Sequence, residues 1–254
     1  MRYFVELQYN GAAYCGWQRQ QEQPSVQQTL ESALSTYLRE AIEVVGAGRT
    51  DTGVHAAYYV AHFDLVRPID DPVQAVYKLN RILPDDIAVR TLTEVSAEAH
   101  ARFDAVEREY RYYITATKNA FTRPLMWHYF VPLDVEQMNQ AAEILLEERD
   151  FTTFAKLNSN NKTNICRVMK AHWEVDQQGV LCFTIRADRF LRNMVRAIVG
   201  TLVDVGRGRY TVEEFAAIVR SRDLSRASGG APAQGLYLSD VRYPAELFER
   251  KTFY

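Results

Sequence analysis

Two hydrophobic periods alternate along the 254-residue chain, and neither is held for long. In Arg2 to Tyr9, Tyr3, Val5 and Leu7 fall on one face and Phe4, Glu6 and Gln8 on the other, the two-residue period of a sheet strand. From Ser25, with Gln28 three residues on as in a capping box, Val26, Leu30, Ala33, Leu34 and Tyr37 recur at helical spacing and predict a helix of about 13 residues. An apolar, β-branched run at Ile42 to Val45 follows, then a strand over Val54 to Leu65, a helix over Pro72 to Arg81 and an extended segment over Ile87 to Val95. The second half resembles the first in coarse order. It has an aromatic strand at Arg108 to Thr117, a helix opened by Asp134 and Gln137, and strands at Ile165 to Val175 and Val180 to Ala187. A helix at Asn193 to Val205, a capping box at Thr211 and Glu214, and a last strand at Leu236 to Tyr243 complete it. Such short, mixed elements predict an α+β fold in two lobes, residues 1–105 and 106–254, whose sheets meet side by side. The boundary falls near Ala101 to Glu107, where neither a sequence repeat nor a low-complexity linker marks it.

Composition removes several classes. With 47% hydrophobic and 24% charged residues and a formal net charge of -2, disorder, collagen and coiled coil are poor readings. No apolar run approaches the roughly 20 residues of a membrane span, and Glu6 interrupts the place where a signal peptide needs its apolar core. The expected location is the cytoplasm. Cys15, Cys166 and Cys182 are odd in number and form no CxxC pair, which fits a reducing compartment and argues against structural zinc. His55, His62, His100, His128 and His172 form no HExxH or other close ligand pair, so no metal is expected; His62 reads as a strand residue packed beside Phe63. Gly46-Ala47-Gly48 lacks the third glycine of a dinucleotide fingerprint, and the chain holds no GxSxG or GK[ST] motif.

The unusual segment is Gly48-Arg49-Thr50-Asp51-Thr52-Gly53-Val54-His55-Ala56. Two glycines bracket a carboxylate, with a guanidinium two residues before it, at a tip between two apolar strands. One reading is an Asx-turn, common strand-connection chemistry. The other is a carboxylate on a rigid scaffold, fit to act as nucleophile or base because an arginine keeps it ionised.

Charge is uneven in a way the total hides. Lys156 to His172 carries Lys156, Lys162, Arg167 and Lys170 with no acid, and Arg186 to Arg209 carries six arginines against Asp188 and Asp204. Each segment is worth +4, so the remainder holds -10. Folded to one face, they would make a positive surface on an acidic body; otherwise they are solvated faces with distant partners. Arg192 and Arg196 stand one helical turn apart beside an apolar stripe, where a buried stem leaves the head to meet a carboxylate. Tyr110, Tyr112 and Tyr113 share a strand with Arg108 and Arg111, a pattern suited to base stacking and backbone tracking on RNA, although each tyrosine also suits a core. Only Tyr110 and Tyr112 share a side.

These residues resemble the tRNA pseudouridine synthase A family, whose active-site motif GRTDAGVHA differs here only at Thr52. Tyr14-Cys15-Gly16-Trp17-Gln18-Arg19-Gln20, Asp150 to Phe154, Phe190 to Leu202 and Ala231 to Leu238 are similar to further family blocks in the same order, and together they span nearly the whole chain. Two departures stand out: Ala233 replaces the second proline of the family's APP, and Arg192 and Asn193 replace its histidines before Met194-Val195-Arg196. The resemblance implies isomerisation of uridine to pseudouridine at nucleotides 38, 39 and 40 of the tRNA anticodon arm, with neither cofactor nor metal. It implies two RRM-like, ferredoxin-like lobes with antiparallel sheets around a central cleft, and a homodimer that holds tRNA across both subunits. Asp51 would then be catalytic, Arg49 would take the place of the flipped uridine, Tyr110 would stack on the target base, and Arg196 would pair with the aspartate. Arg189, Arg192, Lys162 and Arg167 are expected to bind RNA. The competing readings are an RNA-binding protein of the same architecture without turnover and, more remotely, a carboxylate glycosidase, which needs a second placed acid.

Overall fold

The computed structural model describes residues 1–156 and 162–248. Its contacts divide the chain into two compact units, Met1–Val106 together with the chain from Leu238 on, and Glu107–Tyr237.

In the first unit, β1 (Arg2–Tyr9) is the middle strand of an antiparallel set. Helix α1 (Val26–Leu38) begins at Ser25, whose hydroxyl accepts from Gln28 N at 3.3 Å, and ends where Arg39 turns left-handed at φ 57°. Strand β2 is only Val45–Gly46, pairing with β3 (His55–Asp64). Helix α2 (Pro72–Ile82) starts at Asp71, which accepts from Gln74 N, with Pro72 in the first turn where its missing N–H costs nothing. It packs on β4 (Ile87–Val95), so that β1 lies between β3 and β4.

Ile42 and Val44 are buried but form no ladder there, because side chains of α1 satisfy their backbone. Ser35 Oγ accepts from Ile42 N at 2.9 Å, Glu31 accepts from Val44 N at 3.1 Å, and Gln27 donates to Val44 O at 3.0 Å. The second face of β1 is also covered. Phe4 packs with Val60, Ala99 and Ala101, beneath Tyr58, Tyr243 and Leu247.

His62 and Phe63 face opposite sides of β3, as neighbours in a strand must. Phe63 stacks on Tyr3, whereas His62 stacks on Phe4 and accepts from Ala101 N at 3.1 Å, so the two rings do not pack together.

In the second unit, β5 (Glu107–Thr115) pairs with the short β6 (Trp127–His128) and with β8 (Leu181–Ala187), which pairs with β7 (Val168–Val175). Helix α3 (Val135–Glu147), capped by Asp134, packs on β7, on α4 (Met194–Gly206) and on α5 (Val212–Arg220). Both bonds of the Thr211–Glu214 capping box form. Asn193 sits at φ 64°, which ends the preceding turn and starts α4 after Arg192. Arg192 therefore lies outside the helix rather than on its stripe. The last strand, β9 (Leu236–Arg242), leads from the second unit into the first. Among the described residues no helix is long and apolar enough to cross a membrane, and no group of three or more His, Cys, Asp or Glu is placed to hold a metal.

Candidate active site

Asp51 sits in the link between β2 and β3, half-buried, with Arg49 exposed before it and Thr50 buried between them. The turn closes through the backbone, where Val54 N donates to Asp51 O at 3.1 Å and Gly53 takes φ 75°. A second loop braces it. Trp17 N donates to Thr50 O and Gly53 N to Tyr14 O, each at 3.3 Å. Gly16 approaches so closely, at φ 92°, that any Cβ there would collide with Thr50 O. His55 is buried and spent structurally, its Nδ1 accepting from Gly11 N at 3.0 Å. Beneath the loop, Trp17 stacks on Tyr59 at 4.0 Å, with Tyr9 tilted against both.

The other expected residues belong to the second unit. Tyr110 lies opposite Ile185 on β5 and β8, half-buried, its ring edge-on to Phe190 at 5.0 Å. Tyr112, on the same side of the strand, is a core residue whose hydroxyl donates to Pro232 O at 2.7 Å, and burial pushes its pKa up. Arg196 is half-buried on α4; its Nε donates to Ala231 O at 2.6 Å, and Ala231 N donates to Arg196 O at 2.9 Å. That leaves the two terminal nitrogens of the guanidinium for a further acceptor. The strap from Ser228 to Ala231 is itself tied to α4. Ser228 N donates to Thr201 Oγ1 at 3.2 Å, and Ser228 Oγ donates to Asp204.

The basic segments are less positive than their sequence. Arg186 pairs with Glu109 at 2.5 Å and Glu107 at 3.9 Å, and Arg207 and Arg209 pair with Asp204 at 2.7 and 3.2 Å. Glu107 and Glu109 come from β5, which the local charge sum did not include. Arg167, Lys162 and Arg192 are exposed and Arg189 half-buried; residues 157–161 of the Lys156 to His172 segment lie outside the described residues. Asp188 organises several cations. Its carboxylate accepts from the backbone of Arg167 and Arg189, at 2.8 and 2.7 Å, and its carbonyl from the Arg108 guanidinium at 3.0 Å.

A family model described as tRNA pseudouridine synthase matches residues 7–104 and 141–244. The chain belongs to this family. It is 51% identical over 251 residues to a tRNA pseudouridine synthase A of Porphyromonas gingivalis, covering 97% of this chain and 99% of the relative. A protein of the same name from Bacteroides thetaiotaomicron is 50% identical over 253 residues, covering 99% and 94%, and one from Shewanella piezotolerans 42% over 247 residues, covering 96% and 94%. Arg49, Asp51 and Arg196 fall inside the matched stretches, as do Lys162, Arg167, Arg189 and Arg192. Tyr110 falls between them.

The braces around these residues escaped the sequence. Tyr9 and Tyr59 carry ordinary strand alternation, and the Ser228 to Ala231 strap holds Arg196 through a backbone carbonyl, which leaves no side-chain signal. In the charge sum Asp188 enters only as an opposing charge, although an Asp at the end of an apolar strand is also a turn signal.

Proposed function

We propose that the protein isomerises uridine to pseudouridine at nucleotides 38, 39 and 40 of the tRNA anticodon arm, in the cytoplasm, as a homodimer and without cofactor or metal. The observation that carries this reading is the family match across both units, with Asp51 in the first stretch and Arg196 in the second. The base in an RNA stem is stacked and paired, so it must be extruded before its sugar can be reached. Arg49, exposed at the loop tip, fills the vacated stack; Tyr110 offers the flipped base a ring face. The N1 to C1′ bond breaks, the ring turns, C5 bonds to C1′, and the proton lost from C5 is balanced by one gained at N1. Asp51 starts the reaction by attacking C1′ or by taking the C2′ proton. A primary isotope effect with deuterium at C2′ marks the second route, and its absence the first. Arg196 pairs with the carboxylate through the terminal nitrogens that Ala231 leaves available. Arg189, Arg192, Lys162 and Arg167 hold the tRNA backbone. The presence of Asp51, Tyr110 and Arg196 together favours turnover over binding alone, since binding does not require the carboxylate.

The test is incubation of the pure protein with unmodified tRNA and mapping of pseudouridine in the anticodon arm. Wild type forms it at the three nucleotides, and Asp51→Asn loses at least about a hundredfold in rate. No product from wild type, or undiminished product from Asp51→Asn, overturns the reading.

A further inference from the structure

The geometry assigns Tyr59, with Tyr9, as positioning residues for the loop that carries Arg49 and Asp51, an inference that rests on the function proposed above. Tyr59 is fully buried on β3, eight residues beyond Asp51, and its ring is held by Trp17. Its hydroxyl donates to Gly48 O at 2.5 Å and accepts from Gly48 N at 3.4 Å. One side chain therefore fixes both polar groups of the residue before Arg49. On the other side, the Tyr9 hydroxyl of β1 lies 2.8 Å from Thr50 Oγ1, in a buried hydrogen bond. Thr50 is also held from its carbonyl by Trp17 N.

Both neighbours of Arg49 are thus bonded to buried side chains that stand on two paired strands, while Arg49 itself is exposed. Loops usually move more than the strands they connect. Here the backbone on either side of the arginine, and the residue just before Asp51, inherits the rigidity of the sheet. For a reaction in which Arg49 must enter a base stack while Asp51 meets the sugar, that rigidity fixes two side-chain origins before tRNA arrives, and misplacement of a reacting group by about 1 Å costs on the order of a hundredfold in rate. Phenylalanine at either position would fill the same apolar space; what the hydroxyls add is the bond to the loop.

Tyr59→Phe and Tyr9→Phe separate positioning from packing. The readouts are the single-turnover rate of pseudouridine formation, measured well below the melting temperature, and the tRNA Kd. Each variant should lose about tenfold or more in rate while its Kd stays within about twofold of wild type, the split expected when an interaction acts on the reacting geometry and not on binding. Thr50→Val, which removes the partner of Tyr9 and leaves both tyrosines in place, should behave alike and carries the test should Tyr59→Phe fail to fold. Rates within about twofold of wild type in the folded variants overturn the proposal while leaving the function intact. A wild type that forms no pseudouridine overturns the function and this proposal with it.

Discussion

His62 shows how one side chain couples the sheet of the first unit to the chain that leaves it. Its Nδ1 accepts from Ala101 N, while Arg2 donates to Ala99 O at 3.0 Å and Tyr243 donates to Ala101 O at 2.5 Å. Burial, then the positive charge of Arg2 and of the nearby His100, pushes its pKa down to about 4, against the weaker opposing pull of the Asp64 and Asp104 carboxylates. A protonated His62 would also lose the lone pair that accepts from Ala101. The unfolded chain, with an ordinary value near 6.5, therefore binds the proton more readily than the folded one. The stability held by neutral His62 is fully present above about pH 6.5 and is lost as pH falls through about 4. His62→Gln keeps an acceptor and removes the titration. Urea midpoints at pH 7 and pH 5 should differ less in this variant than in wild type, the carboxylates being common to both. Equal differences would show that His62 does not set the acid sensitivity.

At the scale of elements, α4 does two tasks with one face. Arg196, Gly200 and Asp204, spaced four apart, all meet the strap from Ser228 to Ala231. A Cβ on Gly200 would collide with Gly229 O, a backbone atom that yields only if the strap moves. Gly200→Ala should therefore cost about 1–3 kcal/mol by overpacking, visible as a lower Tm, despite alanine's better helix propensity. It should also slow pseudouridine formation at temperatures where the protein stays folded, because Ala231 O would no longer hold Arg196 Nε. A wild-type Tm would show that the strap gives way freely. This contact also marks where sequence reading stops. The starts of α1, α2, α3 and α5 were legible because each depends on a local cap, and the loop around Asp51 stands out because its motif is contiguous in sequence. Ile42 to Val45 reads as an extended β-branched run, yet only Val45 joins a ladder, and the backbone of Ile42 and Val44 is bonded by Gln27, Glu31 and Ser35 of α1, a tertiary choice that no β-branched run announces. Arg192 looked helical because the left-handed turn at Asn193 is invisible in apolar spacing. Tyr59 read as one more strand aromatic, and only its hydroxyl contact with Gly48 gives it a place in the site.

For the whole molecule, the net charge of -2 conceals what matters to a polyanion, and so does the raw count of cations in its basic segments. Arg186, Arg207 and Arg209 supply half of the arginines between 186 and 209, and all three are answered by carboxylates, one set of which arrives from β5. A cation already paired offers little to a phosphate, because the gain of the new contact is offset by loss of the old. Counterion release then separates these paired cations from the exposed Lys162. Lys162→Ala should weaken tRNA binding and reduce the slope of log K against log salt by about 1. Arg207→Gln, which exchanges a guanidinium engaged with Asp204 for a neutral amide, should leave that slope unchanged even if stability falls slightly. Binding isotherms across a series of salt concentrations decide it. Equal slope changes in Arg207→Gln and Lys162→Ala would mean that local pairing does not determine which cations meet tRNA, and the acidic remainder at -10 would then have to be the feature that limits indiscriminate binding.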